Sequence, residues 1–414
     1  MSKKVDDLLD QMTLDEQVSL LAGRNMWNTV PNERLGVEKM RVSDGPGGVR
    51  GSKFDGPASM NVPCGTAIAA SWDTELVRSI GELLGREVVA KGARVHLAPT
   101  VNLHRTPIGG RNFECMSEDP YLTAMTAVEY VKGVQSQGVA SCIKHFVGND
   151  TEFERMTIDS QIDERTLREM YMVPFERAVL DAEVMSVMTS YNRVNGPYAA
   201  DSTWLLRDVL RGEWSFDGMV VSDWFGLHST AEGVVAGLDL EMPGPTLHRG
   251  QALIDAVERG DVPTELVREC ARNILNIMER TGGIGIPPGA EITRDDAADT
   301  AILRRASAAS MVLLRNESIS GVPVLPLSIE GVGSIAVLGP NASTAMVQGG
   351  GSAHVTPTRV SHPLDAITDR LGKTVRIEHS PGCNINKKLP ELDARLLQNV
   401  TLSYYNTPDE LDHS

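Results

Sequence analysis

A single carboxylate stands where a short apolar run ends. Residues 219–221 read Met-Val-Val, follow the turn signal Asp217-Gly218, and predict a buried strand that runs into Asp223 and Trp224. In a barrel of alternating strands and helices, a polar residue at the carboxyl end of a strand faces the mouth of the active site. Asp223 is therefore placed for chemistry, with Trp224 beside it to flank a ligand. The alternative is that Asp223 caps the next helix.

Polar residues also follow other short runs that are rich in Val, Ala and Met. Asn102 and Arg111 come after the run VHLAP at 95–99. Lys144-His145 stands near the end of the run VASCIKHF at 139–146, and Ser190-Tyr191-Asn192 at the end of VMSVMTSY at 184–191. The C-terminal face of a barrel gathers strand ends that are distant in sequence. We therefore expect these groups to converge with Asp223 on one pocket.

Each of these groups has a structural interpretation when it is taken alone. Lys144 and His145 can form a half-buried pair that backbone groups satisfy, although Lys is rarely buried without a partner. Arg111 can pair with one of the glutamates that follow it. Met188 and Tyr191 are by default core residues near a strand end. Only their convergence on one pocket would indicate a functional site.

A further candidate region is the loop RVSDGPGGVRG at residues 41–51, which carries Asp44 and Arg50. Its Gly and Pro content is too irregular for the interior of a helix or strand. Such a loop lets the backbone approach a ligand closely while Asp44 accepts hydrogen bonds. The alternative is an ordinary turn with a solvated salt bridge, since most loops only connect elements.

The elements that must position these groups alternate along the chain. Helical patterns span residues 74–90, 122–137, 164–182 and 203–210, and short apolar runs separate them. Strands that alternate with helices imply βα units and a mostly parallel sheet. The number of units predicts a TIM-type (β/α) barrel over residues 1–280, including two more helical patterns at 251–258 and 264–280.

A second unit is expected after a Gly/Pro-rich linker at residues 281–298. Residues 299–388 predict the start of an incomplete α/β sandwich, with helices at 299–310 and 363–371 and strands at 311–318 and 333–342. The stretch GGGSAHVTP at 349–357 reads as a flexible loop able to reach the barrel. A last strand is expected at 402–405.

Composition narrows the class of partner. The chain of 414 residues has 39 Lys+Arg against 55 Asp+Glu, a net charge of -16, and no basic run. This balance argues against nucleic acid or an anionic membrane and favours a neutral or cationic small molecule. The residues leave open whether the chain forms a homo-oligomer.

Cysteine and histidine spacing predicts neither a disulfide framework nor a metal site. The five Cys are widely separated, and the nine His include no HxH or HExxH cluster. We therefore expect reduced thiols, no metal and no cofactor. The charged amphipathic amino terminus has no apolar core, and no apolar stretch of about 18 residues occurs, which predicts a cytoplasmic protein.

Taken together, the motifs resemble those of the family 3 glycoside hydrolases, and among them the fungal and bacterial β-glucosidases. The resemblance covers about residues 5–385, and six motifs occur in the family's order and spacing: SDGPGGVRG, GGRNFECMSEDPYL, IKHFVGNDTEFER, MTSYNRVNG, VVSDWFG and GGGSAHVTP. It implies a retaining hydrolase that releases terminal β-D-glucose. Asp223 matches the nucleophile that forms a covalent glycosyl-enzyme. The residues that match positions around the sugar are Asp44, Arg50, Arg111, Lys144, His145, Arg155, Met188, Tyr191, Trp224 and Ser352.

The chain departs from the family pattern at the acid/base. In the β-glucosidases this residue is a Glu late in the second domain, and no position here matches it. The β-N-acetylglucosaminidase branch uses a His in an Asp-Ser-His pattern, where this chain has Asp159-Ser160-Gln161. Residues 389–414 look like the start of an inserted PA14-like module, so a truncated chain is expected. The alternative function is a sugar-binding or degenerate non-catalytic paralogue.

Overall fold

The computed structural model describes residues 3–328, 330–385, 393–396 and 398. It contains two compact units. The first holds the chain up to Val324 together with Met346–Val360, and the second holds Leu325–Ala345 and the chain from Ser361. The domain boundaries predicted at 280, 298 and 388 stay predictions. The strand expected at 402–405, and most of the PA14-like region, lie outside the described residues.

The centre of the first unit is a parallel sheet. Its five strands follow the order β1-β2-β3-β5-β7, and β4 and β6 form a separate parallel pair. Every neighbouring pair in the five-stranded sheet is parallel, as connections through helices require. The strands are β1 (Val42–Ser43), β2 (Val95–His96), β3 (Ala140–Phe146), β4 (Asp159–Ser160), β5 (Ser186–Thr189), β6 (Arg193–Val194) and β7 (Met219–Val221).

Isolated bridges continue this sheet into a ring. Residues 240–241 pair in parallel with β7 on one side and with residue 22 on the other. Residues 28–29 then pair antiparallel with residue 23 and with Arg41, which leads into β1. The predicted TIM-type α/β barrel is therefore confirmed. One of its segments, residues 28–29, runs antiparallel to its neighbours.

Helices surround the ring. Asp73 caps the helix at 74–90 as its side chain accepts from the Leu76 N–H, and Asp119 caps the next one, which has Pro at its first turn. The helix predicted over 164–182 is interrupted by a π-helical segment, Leu167–Tyr171, and a second π segment spans Trp204–Glu213. The α-helices are α1 (Lys3–Gln11), α2 (Leu14–Leu20), α3 (Gly65–Ala70), α4 (Thr74–Ala90), α5 (Pro120–Gln135), α6 (Glu164–Thr166), α7 (Val173–Ala182), α8 (Ala231–Ala236), α9 (Gln251–Glu258), α10 (Thr264–Arg280), α11 (Ala297–Ala309) and α12 (Pro363–Leu371).

Strand β3 shows how the barrel divides its two faces. All seven residues are buried, as expected for a strand with helices outside and packed side chains inside. Ile143 belongs to a cluster with Leu83 of α4 and Val131 of α5, whereas Cys142 packs in another with Val95 and Met219. Successive side chains alternate along a strand. Lys144 therefore shares the face of Cys142, on the opposite side of the strand from α4 and α5.

The strand predicted at 311–318 is wrong for nearly all of its length. Only Ser318 enters a strand, in a short antiparallel hairpin of β8 (Ser318–Ile319) and β9 (Val322–Pro323). Residues 311–314 are between 61% and 91% exposed. Apolar composition signals burial, but a strand also needs a neighbour for its backbone hydrogen bonds. No described segment forms a β-ladder with residues 311–317.

The second unit contains a parallel pair of strands, β10 (Ser334–Leu338) and β11 (Arg376–Ser380), with α12 between them in the chain. The helix predicted at 363–371 is thus confirmed. The strand predicted at 333–342 is confirmed for Ser334–Leu338, whereas Pro340–Ala342 forms a 3-10 helix. Along the described ranges, no helix combines the length and the hydropathy needed to span a bilayer.

Candidate active site

A cavity of about 570 Å³ opens in the first unit where β1, β3 and β7 end. Its volume lies in the range of small-molecule sites. Asn102, Ser190 and Asn192, which were also expected to converge on the pocket, do not line this cavity. The other residues that the sequence indicated all line it, whereas their individual roles stay predictions. These residues are Asp44, Arg50, Arg111, Lys144, His145, Arg155, Met188, Tyr191, Asp223, Trp224 and Ser352.

Asp223 lies at the end of β7 and is only 7% exposed. Its Oδ1 accepts a hydrogen bond of 2.7 Å from the Trp224 N–H. Its Oδ2 is buried and makes no hydrogen bond of ordinary geometry with the described residues. The helix-cap interpretation is wrong, because the next helix, α8, begins only at Ala231 with Thr230 as its N-cap. Asp223 therefore has a carboxylate oxygen available to a ligand.

The protonation of Asp223 reflects two opposed effects. Burial raises the pKa of Asp223 above its ordinary value, and the charges of Arg111 and Lys144 oppose that rise. The Tyr191 hydroxyl also interacts with the carboxylate and lowers the pKa of Asp223. Because the effect of burial is larger, Asp223 holds its proton more tightly than an exposed aspartate does.

Asp44 and Lys144 form a buried ion pair. The Lys144 Nζ donates to Asp44 Oδ1 at 2.6 Å, and the same oxygen accepts from the Gly45 N–H at 2.8 Å. Burial alone would raise the pKa of Asp44, but the charges of Lys144 and Arg50 outweigh it and the pKa is lowered. The solvated-turn interpretation of this loop is therefore wrong. The pair presents a carboxylate and an ammonium to the cavity, as recognition of hydroxyl groups requires.

Arg111 joins several groups of the cavity. Its Nε donates to Glu114 Oε1 at 2.6 Å, and its Nη2 lies 3.2 Å from His145 Nε2. Its Nη1 is 3.9 Å from Glu152 Oε1. Arg111 therefore pairs with Glu114, one of the glutamates that follow it in the sequence, and it also lines the cavity. The structural role and the position at the site are both observed.

His145 is neutral in this setting. Burial lowers its pKa well below the ordinary value, and the charges of Arg111, Lys144 and Arg155 lower it further. Its Nε2 lies 3.5 Å from Asp223 Oδ2. The imidazole therefore contributes a dipole beside Asp223 and no positive charge.

Arg155 and Tyr191 form another wall. The Arg155 guanidinium lies over the Tyr191 ring at 4.8 Å from its centroid, and it pairs with Glu152 through Nη1. A guanidinium over an aromatic face is attracted by the ring quadrupole. Both side chains are thereby oriented before any ligand arrives.

An aromatic wall includes residues that sequence reasoning missed. The rings of Trp27 and Trp224 lie 5.4 Å apart, and the Arg50 guanidinium lies 4.5 Å from Trp27 and 4.3 Å from Phe54. Arg50 Nη1 also donates to the Ser352 carbonyl at 2.5 Å. Trp27 and Phe54 stand on irregular segments without periodic pattern, so only their residue type could have suggested them. Aromatic faces suit the apolar faces of sugar rings.

The chemistry that the cavity supports is binding of a polyhydroxylated ligand beside a buried carboxylate with one oxygen free of ordinary hydrogen bonds. Charged donors and acceptors line the cavity together with Asp223, and so do the aromatic residues Trp27, Phe54 and Trp224. In the part of the chain that the structure describes, no group of three or more His, Cys, Asp or Glu side chains is arranged to hold a metal ion.

Both parts of the chain match one protein family. Residues 9–277 match the glycosyl hydrolase family 3 N terminal domain, and residues 311–409 match its C-terminal domain. A β-glucosidase of Rhizobium radiobacter is 52% identical over 386 residues, which are 92% of this chain and 47% of that protein. Probable β-glucosidase J of Aspergillus fumigatus is 43% identical over 400 residues, 95% of this chain and 46% of that protein.

Solved structures agree with this assignment. The crystal structure of the β-glucosidase from Kluyveromyces marxianus in complex with glucose matches with a TM-score of 0.87 at 41% identity. The match covers 94% of this chain and 47% of the Kluyveromyces chain. β-Glucosidase 3B from Thermotoga neapolitana in complex with glycerol matches with a TM-score of 0.83 at 35% identity, and the match covers 91% of this chain and 55% of the Thermotoga chain. The chain spans about half the length of the relatives it matches. It belongs to glycosyl hydrolase family 3.

Proposed function

We propose that the protein is a retaining β-glucosidase, which releases terminal β-D-glucose from β-glucosides with Asp223 as its nucleophile. The observation that carries the proposal is the buried Asp223 carboxylate, whose Oδ2 is free of ordinary hydrogen bonds and lines a cavity of sugar-binding character. Similarity to proteins named β-glucosidases supports the choice of sugar.

In the first step, Asp223 Oδ2 attacks the anomeric carbon. A bond forms between that carbon and Oδ2, and the bond to the leaving oxygen breaks with its electron pair. Asp44 and Lys144 bind hydroxyls of the sugar remote from the reaction, and Arg111, His145 and Arg155 bind those nearer to it. Trp224 and Trp27 shield the reacting face. In the second step, water forms a bond to the anomeric carbon and loses a proton to solvent, while the bond from that carbon to Oδ2 breaks with its electron pair, which restores the Asp223 carboxylate and releases glucose with retained configuration.

Protonation of the leaving group needs a second carboxyl, about 5 to 5.5 Å from the nucleophile in retaining enzymes. Among the described residues, the other carboxylates that line the cavity are Asp44, Glu114 and Glu152. Each is engaged with a cation: Lys144 for Asp44, Arg111 for Glu114, and Arg155 for Glu152. We therefore assign none of them as the acid/base.

The engagement of these three carboxylates also supports a second function, that of a sugar-binding protein with slow turnover. Loss of a general acid costs about 10² to 10⁴ in rate, so slow hydrolysis alone does not separate the two functions. The separation requires an experiment on the nucleophile itself.

The experiment uses 2,4-dinitrophenyl 2-deoxy-2-fluoro-β-D-glucoside, whose leaving group departs without protonation. Intact-mass analysis should show one fluoroglucosyl adduct on the parent chain and none on Asp223→Asn. Glucose binding measured by calorimetry and circular dichroism would show that both proteins are folded. A parent chain that binds glucose and forms no adduct would favour the binding function over the hydrolase.

A further inference from the structure

Asn102 does not itself line the cavity, but it hydrogen-bonds to His145, which does. It is 5% exposed and makes three hydrogen bonds with His145. Asn102 Nδ2 donates to the His145 carbonyl at 3.0 Å, and Asn102 Oδ1 accepts from the His145 N–H at 3.0 Å. The third contact joins the same Oδ1 to the ring nitrogen Nδ1 at 3.1 Å.

The backbone of His145 fixes which way the Asn102 amide points. A peptide N–H can only donate and a carbonyl can only accept. If the amide were turned over, Nδ2 would face the N–H and Oδ1 would face the carbonyl, so both bonds would be lost. Asn102 Oδ1 therefore lies toward the imidazole, and a ring nitrogen 3.1 Å from an amide oxygen must carry a hydrogen.

The other ring nitrogen then has a lone pair. Arg111 has only donors, and its Nη2 lies 3.2 Å from His145 Nε2, so this contact uses that lone pair. Asp223 Oδ2 lies 3.5 Å from the same nitrogen and also has only lone pairs when it is ionised. Burial of the ring among Arg111, Lys144 and Arg155 disfavours a second proton on it.

We propose that Asn102 is a positioning residue that holds His145 in the Nδ1–H tautomer, so that Nε2 accepts from Arg111 and gives no hydrogen bond to Asp223. The consequence is that Asp223 Oδ2 keeps its full charge density for attack, and that Arg111 is held between His145 and Glu114. The role of Asp223 in this statement rests on the proposed function, whereas the tautomer does not.

Nuclear magnetic resonance of the protein labelled with ¹⁵N at histidine tests the tautomer directly. Long-range ¹H–¹⁵N spectra distinguish a protonated ring nitrogen from one with a lone pair, and His145→Gln identifies the signals. The parent protein should show Nδ1 protonated and Nε2 with a lone pair at pH 7. An Nε2–H tautomer or an imidazolium in the parent would overturn the proposal.

Two variants separate positioning from general support of the fold. Asn102→Asp keeps the acceptor Oδ1 and should keep the Nδ1–H tautomer. Asn102→Ala removes the acceptor and should give a mixture or the Nε2–H form. Asn192→Ala removes another buried asparagine, whose amide bonds to Val147 and Ser160, and should leave the His145 signals unchanged. If Asn102→Ala does not fold, the tautomer of His145 in the parent and in Asn102→Asp still tests the proposal.

Kinetics separate this proposal from the proposed function. Adduct formation with the fluoroglucoside should slow about tenfold or more in Asn102→Ala, and less in Asn102→Asp, since partners that orient a reacting group commonly matter to that extent. A correct tautomer without any adduct would overturn the nucleophile and leave the positioning role standing. An adduct formed equally fast in Asn102→Ala, with a changed tautomer, would overturn the positioning role alone.

Discussion

The Nζ of Lys144 lies 2.6 Å from Oδ1 of Asp44, and both side chains are almost completely buried. They come from the ends of β3 and β1, so the pair joins two strand ends of the barrel. Removal of two charges from water is unfavourable, and attraction between them offsets this only with good geometry. The pair is therefore a weak contributor to net stability, but each partner depends strongly on the other.

Asp44→Ala should lower the free energy of unfolding by about 3 to 5 kcal/mol, because Lys144 would then be buried with an unpaired charge. The double variant Asp44→Ala with Lys144→Met should recover most of the loss. Urea unfolding followed by fluorescence measures both. If the single variant were as stable as the parent, the pair would not be buried as described.

Asp223→Asn should stabilise the folded chain at pH 7. Burial raises the pKa of Asp223, so its ionised form opposes folding above that pKa. The gain should shrink as the pH falls through the raised pKa, because the folded parent then takes up a proton, and it should vanish below the ordinary value, where both states are protonated. Thermal unfolding at pH 4 and pH 7 measures the difference.

Asp239 is the matched control for that variant. Its pKa is also raised by burial, but its carboxylate accepts from the Val220 N–H at 2.7 Å, Arg211 Nη2 at 2.7 Å and Asn273 Nδ2 at 2.9 Å. Asp239→Asn should therefore destabilise, by about 1 to 3 kcal/mol, since the amide cannot satisfy all three donors. Stabilisation by both variants, or by neither, would contradict the description of Asp223 as a buried carboxylate with one oxygen that makes no ordinary hydrogen bond.

In the pH profile of adduct formation, the rate falls at low pH where Asp223 takes up a proton, and this acidic limb should move to higher pH in Lys144→Met. The charge of Lys144 opposes the rise in the pKa of Asp223, so its loss leaves burial less opposed. Lys144→Arg retains the charge and should leave the limb near its original place. The rate of adduct formation is measured from pH 4 to pH 8, and the pH at which it falls to half of its maximum gives the position of the limb. Weaker binding of the fluoroglucoside would lower the rate at every pH. An unmoved limb in Lys144→Met would show that another group controls it.

Arg50→Lys should loosen the loop that carries Ser352. Arg50 stacks between Trp27 and Phe54 while it donates to the Ser352 carbonyl, and an ammonium cannot stack as a plane. Hydrogen exchange should become faster in residues 349–352, and glucose binding should weaken. Arg24→Lys changes an exposed arginine and should alter neither. Unchanged exchange in the Arg50 variant would mean that other contacts hold the loop.

Several features of the site were predictable from sequence because local pattern and barrel geometry act together. An apolar run that ends at Asp223, and another that ends at Lys144-His145, each carry a weak signal. The rule that parallel strands end on one face of a barrel brings them to one cavity. The capping box at Thr13 and Glu16 was predictable for a different reason, since it depends on residues only three apart.

Other features had no local signal. Trp27 and Phe54 reach the cavity from irregular segments, where no period indicates a direction for the side chain. The antiparallel segment at 28–29 is set by its neighbours in space, as is the exposure of residues 311–314. Residue types indicate which side chains prefer burial, but they do not indicate whether the fold places another element against them.

The chain leaves the first unit at Leu325 and returns for Met346–Val360 before it leaves again. During synthesis, every segment of the barrel ring has emerged once residue 241 is free of the ribosome. The barrel can therefore close around Asp223 well before the loop with Ser352 exists. In a nascent chain the proposed nucleophile would be in place while one wall of its cavity was still untranslated.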